Sequence, residues 1–229
     1  MQEKTLKHNF KAVLFDLDGT LIDTIYDIKK ALNNVFEKYN IPSINTEEVR
    51  KFISYGSKKI LETHLYNHPD IDTSNLDINK IINEVIEYYS NHMDDHSKIF
   101  KNTENVINFL DKNNIKWGIV TNKYEKLTKE LIAKYNIFKN CSCVVGQDTA
   151  ANPKPHPDPV LYALEQLDMK AQDCVFLGDS INDITAGKYA GTFTAVALYG
   201  YIGNPEEASA WNADFYMKDI SEIIKLFDI

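Results

Sequence analysis

The sequence lacks any apolar run long enough to cross a bilayer. Across its 229 residues, no segment reaches the roughly 20 consecutive apolar residues that a membrane-spanning helix needs. The first residues, Met1 to Lys11, are polar and mixed in charge and contain no apolar core of a signal peptide. We therefore expect a cytoplasmic protein with no membrane partner.

Cysteine is scarce as well. The chain has three cysteines, an odd number, and Cys141 and Cys143 stand too close together for the usual zinc knuckle. They fall on a predicted strand, which favours reduced thiols in the core of a cytoplasmic protein. Internal repeats, low-complexity tracts and long Gly/Ser linkers are also absent, so the sequence is not that of a repeat protein.

Positive charge is in deficit. The 25 Lys and Arg residues against 33 Asp and Glu residues give a formal net charge of −8 at pH 7. This balance disfavours nucleic acid and anionic membranes as partners, and it means that local cations must attract any anionic substrate. The hydrophobic share of 44% and the charged share of 25% are typical of soluble globular proteins. The length allows one large domain or two smaller ones.

The sequence does contain a long alternation of helix and strand patterns, which begins after residue 97. It predicts a doubly wound α/β fold with a parallel sheet, ending in a strand within residues 213–217 and a helix over 220–227. Residues 24–92 carry only helical patterns, with Thr46 as an N-cap. Because one crossover helix is enough for a βαβ unit, the excess predicts a separate helical module inserted into the sheet domain.

One predicted strand is followed directly by two carboxylates. Residues 12–15 are apolar and predict a strand buried on both faces, and Asp16 and Asp18 come next. Burying such groups is costly unless a cation or a reaction uses them, and ligands bind at the carboxyl ends of parallel strands. An Asp-Gly turn is the alternative. An EF-hand loop is excluded, because its Gly and Glu positions hold Leu21 and Asp27.

Two other predicted strands also end on polar residues. One ends on Thr121-Asn122, and another ends on Asp179, with Asp183 one helical turn further on. Since strand ends meet at one edge of the sheet, we expect these groups to converge there with Asp16 and Asp18, which can face one cation or phosphate. Asp179 and Asp183 are close enough to share a cation site. Carboxylates, waters and a phosphate oxygen suit Mg²⁺. Thr121 is placed to donate to a phosphate oxygen, and a helix cap is the alternative for Thr121-Asn122.

A lysine held between two prolines offers the cation that an anionic substrate needs. Lys154 lies between Pro153 and Pro155, just before a predicted helix. The prolines reduce the backbone freedom that is lost when the lysine is fixed. A solvated surface lysine is the alternative interpretation.

Taken together, four segments resemble the four motifs of the haloacid dehalogenase-like superfamily, in the same order along the chain. They are Asp16-x-Asp18-Gly19-Thr20, Thr121-Asn122, Lys154-Pro155 and Gly178-Asp179-Ser180-x-Asn182-Asp183. The resemblance implies a Rossmann-like catalytic core made of residues 1–20 and 98–229, with a helical cap domain at 21–97.

Within the superfamily, several segments resemble the phosphoglycolate phosphatases. They are residues 15–24, Thr121-Asn122-Lys123, residues 154–157, Gly187-x-x-x-Gly191 and residues 199–201. Two positions depart from that pattern. Ser54 replaces the first glycine of the usual Gly-x-Gly in the cap, and Lys101-Asn102-Thr103 replaces the usual Pro-Gly at the return from the cap.

The resemblance implies hydrolysis of a small phosphomonoester, with 2-phosphoglycolate as the expected substrate. Asp16 would be the nucleophile that forms an aspartyl-phosphate, and Asp18 would act first as general acid and then as general base. Lys154 would neutralise charge, and Thr121 and Asn122 would hold the transferring oxygens.

Mg²⁺ is the cofactor that the resemblance implies. Asp16 and Asp179 would bind it through their carboxylates, Asp18 would bind it through its backbone carbonyl, and Asp183 would orient the groups around it.

Substrate recognition is expected in the helical module. Arg50 and Lys58, next to Tyr55-Gly56-Ser57, form its compact basic patch and could bind the substrate, although lysines on a solvated helix face are the alternative. His92 and His96 have the spacing of metal ligands on a helix but no third ligand, so we take them as exposed polar residues.

Other members of the superfamily remain alternatives. A phosphohexomutase of the β-phosphoglucomutase type, a pyrophosphatase and a small nucleotidase all keep an acid at the position of Asp18, whereas dehalogenases and phosphonatases lack it. A catalytically inactive binding domain is the alternative outside enzymes. The expected partner is a small phosphorylated metabolite, and the expected state is a monomer or weak dimer.

Overall fold

The computed structural model describes residues 10–203 and 205–227. The prediction about a signal peptide therefore lies almost entirely outside the described residues. Strands and helices are numbered in chain order. The strands are β1 (Ala12–Phe15), β2 (Ile22–Asp23), β3 (Lys98–Ile99), β4 (Lys116–Val120), β5 (Val144–Val145), β6 (Cys174–Gly178), β7 (Phe193–Ala197) and β8 (Phe215–Met217). The helices are α1 (Ile25–Lys38), α2 (Thr46–Phe52), α3 (Ser57–Asn67), α4 (Ile78–His92), α5 (Thr103–Lys112), α6 (Glu125–Ile132), α7 (Asp158–Leu167), α8 (Ile181–Ala190) and α9 (Pro205–Ser209). Short 3₁₀ helices cover Ile53–Tyr55, Asn136–Phe138, Ala171–Asp173 and Ile220–Leu226.

Six parallel strands form the main sheet, in the order β5-β4-β1-β6-β7-β8. Strand β1 lies inside this order, and all four of its residues are buried. Its Leu14 is in register with Gly118 of β4 on one side and with Phe176 of β6 on the other. A strand covered on both faces explains the unbroken apolar run in the sequence. The predicted α/β fold with a parallel sheet is confirmed.

The helical module is inserted after the first strand, as predicted. Helices α1–α4 lie between β2 and β3, which form a two-stranded antiparallel ribbon that joins the module to the sheet domain. The buried carboxylate of Asp27 on α1 accepts hydrogen bonds from the backbone N–H groups of His96 and Ser97 and from the Ser97 hydroxyl, at 2.7–3.1 Å. The chain therefore enters and leaves the module at one place.

Several local predictions differ from the structure. The N-cap of α2 is Asn45 rather than Thr46, because Asn45 Oδ1 accepts from the N–H of Glu48 while the Glu48 carboxylate accepts from the N–H of Asn45. The last predicted helix is a 3₁₀ helix. Its first turn is tightened by Asp219, whose carboxylate accepts from both the N–H and the hydroxyl of Ser221.

The cysteines are free thiols, but only Cys174 is a core residue. Cys141 and Cys143 are half-buried and lie just before the edge strand β5, so the prediction that they fall on a strand is wrong. Burial raises the pKa of Cys141 to about 12 and that of Cys143 to about 11. All described helices are too short or too polar to cross a membrane.

Candidate active site

The carboxyl edge of the sheet brings three buried carboxylates together. Asp16 follows β1, Asp179 follows β6, and Asp183 lies in the first turn of α8. One carboxylate oxygen from each lies within 4.8 Å of the others. Asp179 and Asp183 were predicted to share a cation site, and Asp16 was predicted to lie at the same edge of the sheet. The structure brings all three carboxylates together.

The packing around Asp179 depends on two glycines. Gly19 has a φ of +90°, and a Cβ at this position would lie 2.0 Å from Asp179 Oδ2. A Cβ on Gly200 would lie 2.4 Å from the Cβ of Asp179. The backbone N–H of Tyr201 donates to Asp179 Oδ2 at 2.7 Å, whereas the buried Oδ1 has no hydrogen-bond partner among the described residues. A buried oxygen without a donor is an available ligand for a cation.

Burial makes the charged forms of Asp16 and Asp179 costly. It raises the pKa of Asp16 to about 7, with the carboxylate of Asp183 adding to this rise and Lys154 opposing it. Burial, followed by the charges of Asp16 and Asp183, raises the pKa of Asp179 well above its usual range. A divalent cation would offset this repulsion. The three carboxylates and the unpartnered Asp179 Oδ1 therefore fit a hard cation such as Mg²⁺.

Lys154 places a positive charge beside the clustered carboxylates. Its Nζ lies 2.9 Å from Asp16 Oδ1, 2.6 Å from Asp183 Oδ1 and 2.7 Å from the carbonyl oxygen of Val120. Burial lowers the pKa of Lys154, but the two carboxylates outweigh burial and raise it. The lysine is thus a fixed cation beside Asp16 and not a solvated surface residue.

Asn122 fixes the backbone around Lys154. Its Oδ1 accepts from the N–H of Lys154 at 3.0 Å, and its Nδ2 donates to the carbonyl of Lys154 at 2.9 Å. The same Nδ2 lies 3.1 Å from the carbonyl oxygen of Ser54 in the helical module, which Asn182 Nδ2 also contacts at 3.2 Å. In this arrangement the Asn122 side chain positions other groups rather than presenting its amide to a phosphate. The Thr121 side chain lines the cavity beside it.

Asp18 is held by a lysine that the sequence analysis did not assign to the site. Lys123 Nζ donates to both oxygens of the Asp18 carboxylate, at 2.9 and 3.1 Å, and Thr24 Oγ1 donates to Asp18 Oδ1 at 2.7 Å. Lys123 Nζ also lies 4.5 Å from the ring centroid of Tyr89 on α4. Burial opposes the charge of Lys123, yet the Asp18 carboxylate and Tyr89 raise its pKa. Its place two residues after Thr121, beyond a buried strand, was the available signal.

The two basic residues predicted for substrate binding lie in different places. Lys58 lines a cavity of about 330 Å³ that lies above Asp16 and Lys154. Arg50 is not among the residues that line it; its guanidinium lies 5.5 Å from the ring centroid of Tyr201. His92 is half-buried and stacks on Tyr88 at 4.2 Å between ring centroids, so the prediction of an exposed side chain is wrong for this residue.

Comparison with known proteins covers most of the chain. A family profile described as haloacid dehalogenase-like hydrolase matches residues 13–197, which include the three clustered carboxylates, Asp18 and Lys154. A phosphoglycolate phosphatase of Xylella fastidiosa is 34% identical over 204 residues, which cover 89% of this chain and 87% of that protein.

Two further proteins match over nearly their whole length. An N-acetylmuramic acid 6-phosphate phosphatase of Pseudomonas putida is 29% identical over 218 residues, or 95% of this chain and 96% of that protein. The crystal structure of a predicted phosphoglycolate phosphatase from Haemophilus somnus superposes with a TM-score of 0.88 and 24% identity, covering 95% of this chain and 97% of that one. At that sequence identity, the structural likeness shows that the two proteins share a fold and shows nothing about their activity.

Proposed function

The chain belongs to the haloacid dehalogenase-like hydrolase family, and from that premise we propose that it hydrolyses phosphomonoesters through an aspartyl-phosphate on Asp16. The observation that carries this proposal is the contact of Lys154 Nζ with Asp16 Oδ1 at 2.9 Å, inside a cluster of three buried carboxylates. A buried carboxylate beside a fixed cation is suited to attack an anionic phosphoryl group.

Asp16 and Asp179 would hold Mg²⁺ through their carboxylates, together with the backbone carbonyl of Asp18, and Asp183 would orient the groups around the ion. Bound Mg²⁺ would supply further neutralisation of the phosphoryl oxygens. The support for this assignment is the unpartnered, buried Oδ1 of Asp179 and the mutual repulsion of the three carboxylates.

Nucleophilic attack needs an anionic phosphoryl group to approach an anionic side chain. Asp16 would form a bond to phosphorus as the bond to the leaving oxygen breaks, and water would then displace Asp16 and release phosphate. Lys154 would hold the attacking carboxylate in place and offset part of its charge. Thr121, at the end of β4, would donate its hydroxyl to a phosphoryl oxygen.

Asp18 would protonate the leaving alkoxide and then accept a proton from the attacking water. Lys123 and Thr24 would keep its carboxylate in one orientation, since both donate to it at 2.7–3.1 Å. The helical segment would act as a cap over the cavity, with the boundaries predicted from sequence: a cap of 21–97 and a core of 1–20 and 98–229.

Relatives of this chain are named for substrates of different size. The relatives reported above include phosphatases named for phosphoglycolate and for N-acetylmuramic acid 6-phosphate. The decisive experiment ranks kcat/KM of the purified enzyme for 2-phosphoglycolate, sugar phosphates, nucleotides, pyrophosphate and an aryl phosphate. We expect release of phosphate from monoesters, with 2-phosphoglycolate as a candidate. If none of these compounds releases phosphate, the proposal fails.

The Lys123→Met substitution should affect substrates with poor leaving groups more than substrates with good ones. A poor leaving group such as an alkoxide needs protonation by Asp18, whereas dinitrophenolate does not. We therefore expect Lys123→Met to lower kcat/KM for an alkyl phosphate by about 10²-fold, and for dinitrophenyl phosphate by less than about tenfold. Because kcat/KM reports the step up to phosphoryl transfer, later hydrolysis of the phosphoenzyme does not mask the difference.

Two variants control this measurement. Lys123→Arg should restore part of the activity on alkyl phosphates, since it keeps a donor cation. Lys126→Met, three residues further on with a side chain 84% exposed, should match the parent. An equal loss with both leaving groups would mean that Lys123 only supports the fold.

A further inference from the structure

The cavity above the carboxylates has two chemically different sides. The sheet domain contributes the carboxylates of Asp16 and Asp18, together with Thr121 and Lys154. The helical module contributes mainly aliphatic side chains, which include Ala31 of α1 and Ile82, Val85 and Ile86 of α4. A phosphoryl group at Asp16 therefore has polar surroundings, and the alcohol that leaves has an apolar wall opposite it.

Two residues of that wall are only partly buried by the protein itself. Ile82 and Ile86 lie one turn apart on α4, and both remain half-buried, whereas Val85 between them is only 2% exposed. Apolar surface that faces a site and stays in contact with water is stabilised when a ligand covers it. The wall is thus available to an apolar part of the substrate.

Cations are few on the same side. Lys58 is the one cationic side chain that the helical module adds to the described cavity lining, and its Nζ lies 3.9 Å from Glu62 Oε1 with the side chain 61% exposed. The other lysines of the lining, Lys123 and Lys154, already contact carboxylates. A leaving group recognised mainly through a carboxylate would find little positive charge here.

We infer that the substrate is a phosphomonoester whose alcohol carries an apolar segment that packs against Ile82, Val85 and Ile86. This inference rests on the proposed function and narrows its substrate class. The cavity of about 330 Å³ falls at the lower end of the roughly 300–1,000 Å³ range of pockets that enclose drug-sized ligands. A two-carbon leaving group such as glycolate would leave the apolar wall uncovered, so the physiological alcohol is larger.

A homologous series of n-alkyl phosphates, from ethyl to hexyl, tests the inference. Their leaving alkoxides are chemically alike, so differences in kcat/KM report contacts of the chain rather than the chemical step. We expect kcat/KM to rise by about fourfold for each methylene that the wall covers. Pentyl phosphate should then be a better substrate than 2-phosphoglycolate under the same conditions.

Variants at the wall give the matched comparison. Ile86→Ser should reduce the ratio of kcat/KM for hexyl and ethyl phosphate, and Ile82→Ser should do the same in case one variant folds poorly. Glu87→Ser, on the exposed face of the same helix, should keep the parent ratio. Thermal unfolding of each variant shows whether the fold is retained.

The outcomes separate the inference from the function on which it rests. Alkyl phosphates hydrolysed at a rate independent of chain length, or more slowly as the chain grows, would overturn the inference and leave the phosphatase proposal intact. A preference for 2-phosphoglycolate over every alkyl phosphate would overturn it too. No turnover of any phosphate ester would overturn both.

Discussion

Replacing Asp16 with asparagine should lower kcat/KM for an aryl phosphate by at least about 10³-fold, which corresponds to about 4 kcal/mol of lost transition-state stabilisation. An amide keeps the shape of the side chain but lacks the negative charge that attacks phosphorus. The change also removes the ion pair with Lys154 Nζ at 2.9 Å, so the lysine loses one of its two carboxylate partners.

The measurement combines steady-state kinetics with trapping of the phosphoenzyme. Acid quenching of the parent during turnover should give a peptide containing Asp16 with the mass of one added phosphoryl group, and the variant should give none. Asp168→Asn is the matched control, since Asp168 is exposed and has a φ of +51°, a conformation that asparagine also accepts. If the Asp16→Asn variant turned over substrate as fast as the parent, Asp16 would not be the nucleophile.

Removal of divalent metal should abolish turnover, and Mg²⁺ should restore it. EDTA leaves three carboxylates within 4.8 Å of one another with Lys154 as the cation in contact with two of them. Phosphoryl transfer at such a site would lack most of the charge neutralisation that it needs. Undiminished activity in EDTA would exclude a metal-dependent reaction.

Thermal unfolding gives a second readout that does not depend on catalysis. At a free Mg²⁺ concentration about 100 times the Kd, binding to the folded state adds about 2.7 kcal/mol of stability. For a chain of this size, that is a rise in Tm of roughly 5–10 °C. Asp179→Asn should abolish most of this rise, whereas Asp168→Asn should keep it. A full rise in the Asp179 variant would place the ion elsewhere.

The position of the acidic cluster was predictable because it follows from backbone geometry. Parallel strands align their carboxyl ends, so carboxylates that directly follow β1 and β6 must lie near each other whatever the loops do. The same argument brings Thr121 to the site at the end of β4. The direction of the strands follows from the alternating helix and strand patterns. The order that makes β6 a neighbour of β1 is a finding of the structure.

The sequence placed Lys123 near the end of β4, but it did not show which residues Lys123 and Arg50 contact. Lys123 pairs with Asp18 across 105 positions of sequence, and a lysine after a strand is usually a solvated residue. Arg50 was grouped with Lys58 because the two are near in sequence, but they lie in α2 and α3, and only Lys58 lines the cavity. Which way each side chain points depends on how the helices pack, and composition does not determine that.

The ribbon of β2 and β3 was also missed. Each strand has two residues, which is too short to show the alternation that marks a strand. The hydrogen bonds of Asp27 to residues 96 and 97 were not predictable either, because they form only when the chain returns to α1 after the whole helical module.

The hydrogen bonds to the carbonyl group of Ser54 affect which substitutions the protein tolerates at this contact. Because Asn122 and Asn182 fasten the helical module to the core through a main-chain oxygen, every amino acid except one that distorts the backbone offers them the same acceptor. These two hydrogen bonds therefore leave the side chain at position 54 free to vary, whereas its place in the cavity lining still constrains it. The two asparagines have no such freedom, and mutational tolerance should differ sharply between the two ends of the same hydrogen bonds.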